Sequence, residues 1–125
     1  MKKILIIEDD KSIRQALVDK FSIEGFEVHE SDNGKKGCEM AAELKPDLIM
    51  LDILMPKMDG LTCMEQIRST NEYGKNVPII ILTNVEIDND VLQKVSKYKP
   101  SFYCSKNDTK IQDIVTKAKT VLGLN

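Results

Sequence analysis

Several features that would commit a chain to a compartment or a common chemistry are missing from these 125 residues. The apolar runs, Val77–Leu82 among the longest, fall far short of the roughly 20 residues that cross a bilayer. Nothing at Met1-Lys2-Lys3 looks like a signal peptide, because only Ile4–Ile7 follows as an apolar stretch. No membrane association is therefore expected, and the expected location is the cytoplasm. There are only three cysteines, Cys38, Cys63 and Cys104, with no CxxC spacing. That suits reduced core thiols better than disulfides or a zinc site. A GxxxxGK phosphate loop is absent, which removes P-loop chemistry. The net charge is only −2, so direct nucleic-acid binding is not expected.

What is present is a repeated pattern. Ile4–Ile7 is a short apolar run that ends in Glu8-Asp9-Asp10, and Leu48–Leu51 is another that ends on Asp52. Ile13, Ala16, Leu17 and Phe21 share one helical face, stopped by Gly25. Phe26–Glu30 alternates as a strand with one wet side, and Cys38, Ala41, Ala42 and Leu44 form a second helical stripe ending before Pro46. Leu61, Met64 and Ile67 mark a third helix, and Ser69–Asn76 reads as a polar loop. Val77–Leu82 predicts a fourth strand running into Thr83-Asn84; Ile87, Val91, Val95 and Tyr98 predict a fourth helix. Ser101–Ser105 predicts a fifth strand ending at Lys106, and Ile111–Leu122 carries the cleanest helical stripe, stopped by Gly123.

Five alternations of strand and helix predict one α/β domain over residues 1–125, a (βα)5 doubly wound parallel sheet with helices on both faces. Strands one, three and four are apolar throughout and should be central; two and five carry polar residues and should be edges. That pattern fits the flavodoxin-like order 2-1-3-4-5. His29, the only histidine, falls on an expected edge strand away from the strand ends and reads as solvated.

In a parallel sheet the C-terminal strand ends point one way, so Glu8, Asp9, Asp10, Asp52, Thr83, Asn84 and Lys106 should meet. An acid after a strand is most often a helix cap or a solvated turn. Several crowded acids repel unless a cation neutralises them, and Mg²⁺ suits a site of few carboxylates. A metal, a hydroxyl and a lysine together make a cradle for a phosphoryl group, with Asp52 as an in-line nucleophile. A haloacid-dehalogenase-like phosphatase needs a second acid two residues beyond its aspartate, where this chain has Leu54; a flavodoxin needs a Ser/Thr/Gly-rich loop where it has acids.

Four motifs in order now matter: Ile4–Asp10, Asp47–Gly60 with its Asp-x-x-Met-Pro-x-Met-Asp-Gly core, Ile80–Thr83 and Tyr103–Lys106. Together they resemble the receiver domains of two-component response regulators, and the chain is similar to single-domain chemotaxis receivers over essentially its whole length. Receivers are themselves examples of the 2-1-3-4-5 order, so the resemblance implies the same sheet. It further implies a phosphorylation-dependent switch. Asp52 would be the phosphoacceptor, taking a phosphoryl group from a histidine kinase, a phosphotransfer protein or a small acyl phosphate to form a 4-aspartylphosphate. Asp52 would catalyse its own phosphotransfer and dephosphorylation, without being a conventional enzyme. Mg²⁺ would be held by Asp9, by Glu8 through water, by Asp52 and by the backbone carbonyl of Leu54. Thr83 and Lys106 would contact the phosphoryl oxygens, Thr83 and Tyr103 would form the switch, and Asp10 would cap the first helix.

Three positions depart from the family pattern. Asn84 stands where a small residue is usual and would modulate phosphorylation or dephosphorylation. Asn107 replaces the proline after Lys106, which removes the usual reason for a cis peptide, and it reads as the N-cap of the last helix. Lys99–Phe102 replaces an acidic run, which argues against the dimer contacts of some transcription-factor branches. From Val91 onward seven lysines face two acids, net +5, while the rest of the chain is net −7. Lysines on helices usually form solvated faces; the sharper expectation is an acidic output partner on the fourth helix, fifth strand and fifth helix. The alternative is a pseudo-receiver, a binding module that keeps the fold without phosphorylation.

Overall fold

A computed structural model describes residues 1–53, 55, 58–83, 89–106 and 109–124, with residues 89, 91 and 92 described by backbone only. The elements run β1 (Lys3–Ile7), α1 (Lys11–Ile23), β2 (Glu27–Ser31), α2 (Gly34–Leu44), β3 (Leu48–Asp52), α3 (Gly60–Thr70), α4 (Glu72–Asn76), β4 (Ile79–Thr83), α5 (Asn89–Ser96), β5 (Phe102–Ser105) and α6 (Ile111–Val121). All five strands are parallel in the order β2-β1-β3-β4-β5. The fold is the expected flavodoxin-like sheet with flanking helices.

Side-chain alternation divides the core between two faces. Ile4, Ile6, Leu48, Met50, Ile80 and Leu82 pack with Leu17 and Phe21 of α1 and Ile114, Val115 and Ala118 of α6. Leu5, Ile7, Ile49, Leu51, Ile79 and Ile81 pack with Ala41 of α2, Cys63, Met64 and Ile67 of α3 and Val95 of α5. Because both faces are covered, β1, β3 and β4 are buried nearly throughout, whereas β2 and β5 are not. Central and edge strands sort as the sequence pattern predicts.

Some boundaries differ. The expected loop Ser69–Asn76 holds α4, one short turn whose start is capped when Asn71 accepts the Gly74 N–H at 2.7 Å. Five residues are too few to show a helical stripe, so periodicity cannot reveal it. The expected fourth and fifth helices are thus α5 and α6. The last helix starts at Ile111 with Lys110 at its N-cap and no side-chain cap bond, so Asn107 does not cap it. A turn in which the Thr109 N–H donates to the Ser105 carbonyl at 2.9 Å comes first. Leu54, Asn84, Ile87 and the Lys106–Asn107 bond lie outside the described residues.

Arg68 locks the far end of the sheet. Its guanidinium donates to the carbonyls of Tyr98 (2.8 Å), Gly74 (2.9 Å), Val77 (2.6 Å) and Lys99 (3.3 Å). One side chain therefore ties α3 to the segments leading into β4 and β5.

Candidate functional site

The parallel register brings the acids together. β1 pairs Ile7 with Leu51, and β3 pairs Asp52 with Leu82, so Glu8, Asp52 and Thr83 leave three adjacent central strands at one level. Asp52 and Thr83 are the last residues of their strands and are nearly inaccessible, at 3% and 7% exposure. The start of α3 lies directly against the end of β3. Gly60 makes that possible: a β-carbon there would lie 2.1 Å from the Asp52 carbonyl oxygen. Asp59 then caps α3, accepting the Thr62 N–H at 2.8 Å.

Glu8, Asp9 and Asp52 each offer a carboxylate oxygen within 4.8 Å of the others. Glu8 is fully buried and Asp9 is exposed, so the cluster opens to solvent on the Asp9 side. Lys106 reaches in from the end of β5, placing its ammonium 3.0 Å from Asp52 Oδ2 and in contact with Glu8 Oε1. The Lys106 N–H donates to the Thr83 carbonyl at 2.7 Å, tying the two strand ends together. Glu8 Oε2 accepts the Asp10 N–H at 3.1 Å, while Oε1 has no hydrogen-bond partner among the described residues beyond its ion pair.

Three acids facing one ammonium are under-neutralised, and the protonation equilibria register it. Burial, then hydrogen bonding with Asp9 and the charge of Glu8, pushes the Asp52 carboxyl up from 3.8 to about 7, with Lys106 pulling the other way. Burial alone would raise Asp9, but hydrogen bonds with Asp52 and Glu8 outweigh it and hold its carboxyl below the ordinary range. The cluster therefore holds its proton more tightly at Asp52 than at Asp9. For Lys106, burial is overcome by its bonds to Glu8 and Asp52, and its ammonium is held above the usual value. The donor set fits a hard divalent cation: all ligands are oxygens, the three carboxylates share a single ammonium, and a dication would balance the surplus charge.

Asp10 lies apart, capping α1 by accepting the Ile13 N–H at 3.0 Å. Tyr103 is not at the cluster. It lies on β5, 37% exposed, with its hydroxyl 3.2 Å from Ser96 Oγ of α5. His29 is half-buried and pairs with Glu27 at 2.8 Å, so it is not simply solvated. One contributor escaped the sequence reading. Arg14 donates to the carbonyls of Glu8 (2.9 Å) and Asp9 (3.4 Å) and to Glu30 Oε1 (2.9 Å), fixing the backbone that presents both acids. Its signal was available: an arginine one turn into the helix that follows the acidic run.

Comparison with known proteins places this geometry in context. The family described as "Response regulator receiver domain" matches residues 4–119. The chain is 37% identical over 93 residues to the DNA-binding dual master transcriptional regulator RpaA of Synechocystis, covering 74% of this chain and 38% of that protein. It is 36% identical over 81 residues to Response regulator MprA of Mycolicibacterium vanbaalenii, covering 65% of this chain and 34% of that one. The chain thus spans little more than a third of these curated relatives. Among solved structures, chemotaxis protein CheY4 of Vibrio cholerae superposes with a TM-score of 0.87 at 25% identity, over 97% of this chain and 98% of that one.

Proposed function

Since this chain belongs to the receiver domains of response regulators, we propose that residues 1–125 form one receiver domain acting as a phosphorylation-dependent signalling switch, with Asp52 as phosphoacceptor. The observation that carries the reading is the buried Asp52 carboxylate held 3.0 Å from the Lys106 ammonium beside Glu8 and Asp9. In the proposed mechanism an Asp52 oxygen attacks the phosphorus of a donor, forming an O–P bond as the donor's bond breaks and its group leaves. Lys106 already sits on Asp52 and takes up the negative charge of the arriving oxygens. Thr83, at the end of the neighbouring strand, donates its hydroxyl to one of them.

Glu8, Asp9, Asp52 and the Leu54 carbonyl would hold Mg²⁺, which supplies charge neutralisation for the phosphoryl group and keeps Asp52 ionised. Arg14 keeps the backbone of Glu8 and Asp9 in place for that role. In the switch, Thr83 moves toward the phosphoryl group and Tyr103 leaves its contact with Ser96 for the space behind Thr83. The face of α5, β5 and α6 changes accordingly. Lys94, Lys97 and Lys99 are exposed there, which favours an acidic protein partner. The proposed donors are a histidine kinase or phosphotransfer protein in the cytoplasm. No helix among the described residues is long and apolar enough to cross a membrane.

The test is incubation with a small acyl phosphate and Mg²⁺, followed by intact mass. One phosphoryl adduct is expected, absent without Mg²⁺ and absent in Asp52→Asn. An Asp52→Asn protein that takes up the group at full rate would overturn the assignment. Asn84→Ala should speed turnover of the adduct by relieving access to Asp52.

A further inference from the structure

Away from the acidic cluster, three sulfur atoms converge between α2 and α3. Cys38 Sγ lies 3.7 Å from Met58 Sδ and 3.4 Å from the Cys63 carbonyl oxygen. The Cys38 and Cys63 thiols are close enough for each to perturb the other's proton equilibrium. Cys63 is fully buried and Cys38 half-buried, and both are free thiols. Cys38 and Met58 line a groove of about 420 Å³ between α2, α3 and α4, so these two residues are reached from solvent while Cys63 lies behind them in the core. Nothing in the phosphoryl chemistry uses them.

The geometry points to a binding site for a soft monovalent cation of the Cu⁺ type, with Cys38, Cys63 and Met58 as ligands. Metal–thiolate bonds are about 2.3 Å, so three sulfurs around one metal in a plane lie roughly 4 Å apart. The observed Cys38–Met58 separation is already close to that. Two thiols and a thioether form a soft donor set, which selects Cu⁺ over Mg²⁺ or Ca²⁺, and a thioether is a poor partner for Zn²⁺. Binding releases the two thiol protons to solvent and leaves the metal with two thiolates, net charge −1. The interaction between the two holds the Cys38 thiol below its ordinary value and pushes the buried Cys63 thiol far above its own, so Cys38 gives up its proton first and the metal itself must displace that of Cys63. Glu39 and Asp59 near the two cysteines attract the entering cation but oppose the thiolates, and Lys35, which also lines the groove, acts in the opposite sense on both.

The site also touches the path to Asp52. Met58 belongs to the segment between β3 and α3, and its carbonyl packs so closely on Gly34 that a β-carbon there would lie 2.1 Å away. A metal fixed on Met58 would therefore pin that segment against α2.

The test uses the whole reduced protein under anaerobic conditions, titrated with Cu⁺ against a colorimetric Cu⁺ chelator. One equivalent is expected to be withdrawn from the chelator, with a thiolate-to-copper absorption band in the ultraviolet and only sulfur neighbours by X-ray absorption. Cys38→Ser should abolish binding, Met58→Leu should weaken it at least about tenfold, and Cys104→Ala, on the opposite face of the sheet, should leave it unchanged. If Cys38→Ser fails to fold, Met58→Leu decides alone, being a volume-conserving change. Affinity unchanged in Met58→Leu, binding retained in folded Cys38→Ser, or loss of free thiols without bound copper would each overturn the proposal.

Discussion

Replacing Asp52 by Asn should make the metal-free protein more stable at neutral pH. The folded state holds this carboxyl at about 7 against an ordinary 3.8. At 1.36 kcal/mol per pH unit, keeping Asp52 ionised above that value costs about 4 kcal/mol relative to the unfolded chain. Asp9, held below its ordinary range by the same contacts, returns part of that cost. The Asn variant also gives up the 3.0 Å ion pair with Lys106. Lys106 is not stranded, however, because it keeps its contact with Glu8. The net gain expected at pH 8 is about 1–2 kcal/mol, an increase of roughly 1 M in the urea midpoint for a domain of this size. Between pH 3.8 and about 7 the folded protein retains a proton on Asp52 that the unfolded chain releases. Wild-type stability from this group is therefore present at low pH and lost as pH rises through about 7, so the advantage of Asp52→Asn should shrink toward pH 5. Urea unfolding in chelator at pH 5 and pH 8 measures both effects. A variant that is no more stable at pH 8, or whose advantage is the same at both values, would refute the crowded-acid account. Adding Mg²⁺ should raise the wild-type midpoint more than the variant's, since the variant lacks one of three carboxylates.

Lys106→Ala should destabilise by about 3 kcal/mol at pH 8, because it leaves Glu8 and Asp52 buried without a counter-charge; the loss should ease at pH 5, as seen by urea midpoint. Gly60→Ala drives a β-carbon to 2.1 Å from the Asp52 carbonyl, and a cost of about 2–3 kcal/mol is expected by thermal melting. In the same variant the rate of phosphoryl uptake should fall, since the segment beside Asp52 must move. Arg68→Ala strands four carbonyl contacts at the opposite end of the sheet; it should cost about 2–3 kcal/mol while leaving Mg²⁺ affinity within twofold.

How far the sequence could be read depended on the kind of signal. The sheet order follows from burial. Ile4–Ile7, Leu48–Leu51 and Ile79–Leu82 are apolar on both faces and lie centrally, while Glu27–Ser31 and Phe102–Ser105 mix polar residues and lie at the edges. Helix ends set by one strong local contact were legible too, as Asp10 shows at α1. By contrast, α4 depends on Asn71 and on the fit of Gly74 against the Ile67 carbonyl, a tertiary contact without periodicity. The start of α6 differs from the sequence expectation for a related reason. Asn107 has the right chemistry for a cap, but the chain first closes a turn onto Ser105 and the helix begins at Ile111 without a side-chain cap.

The site divides along the same line. Because parallel strands end together, the convergence of Glu8, Asp9, Asp52, Thr83 and Lys106 follows from topology once the strands are placed. Topology does not say which acid carries a proton. That depends on burial: Glu8 and Asp52 are enclosed and Asp9 faces water, so a cation approaching from solvent meets Asp9 first. Nor does topology reveal Arg14, whose guanidinium reaches back along its own helix to the carbonyls behind the acids. Arg14→Ala separates these contributions. It leaves every carboxylate in the cluster and removes the bonds that hold their backbone, together with the ion pair to Glu30. Weaker Mg²⁺ binding, by about 10–100-fold, with Asp52 still able to take a phosphoryl group at saturating Mg²⁺, is the expected result. Unchanged Mg²⁺ affinity would show that the strand ends alone suffice to aim the acids.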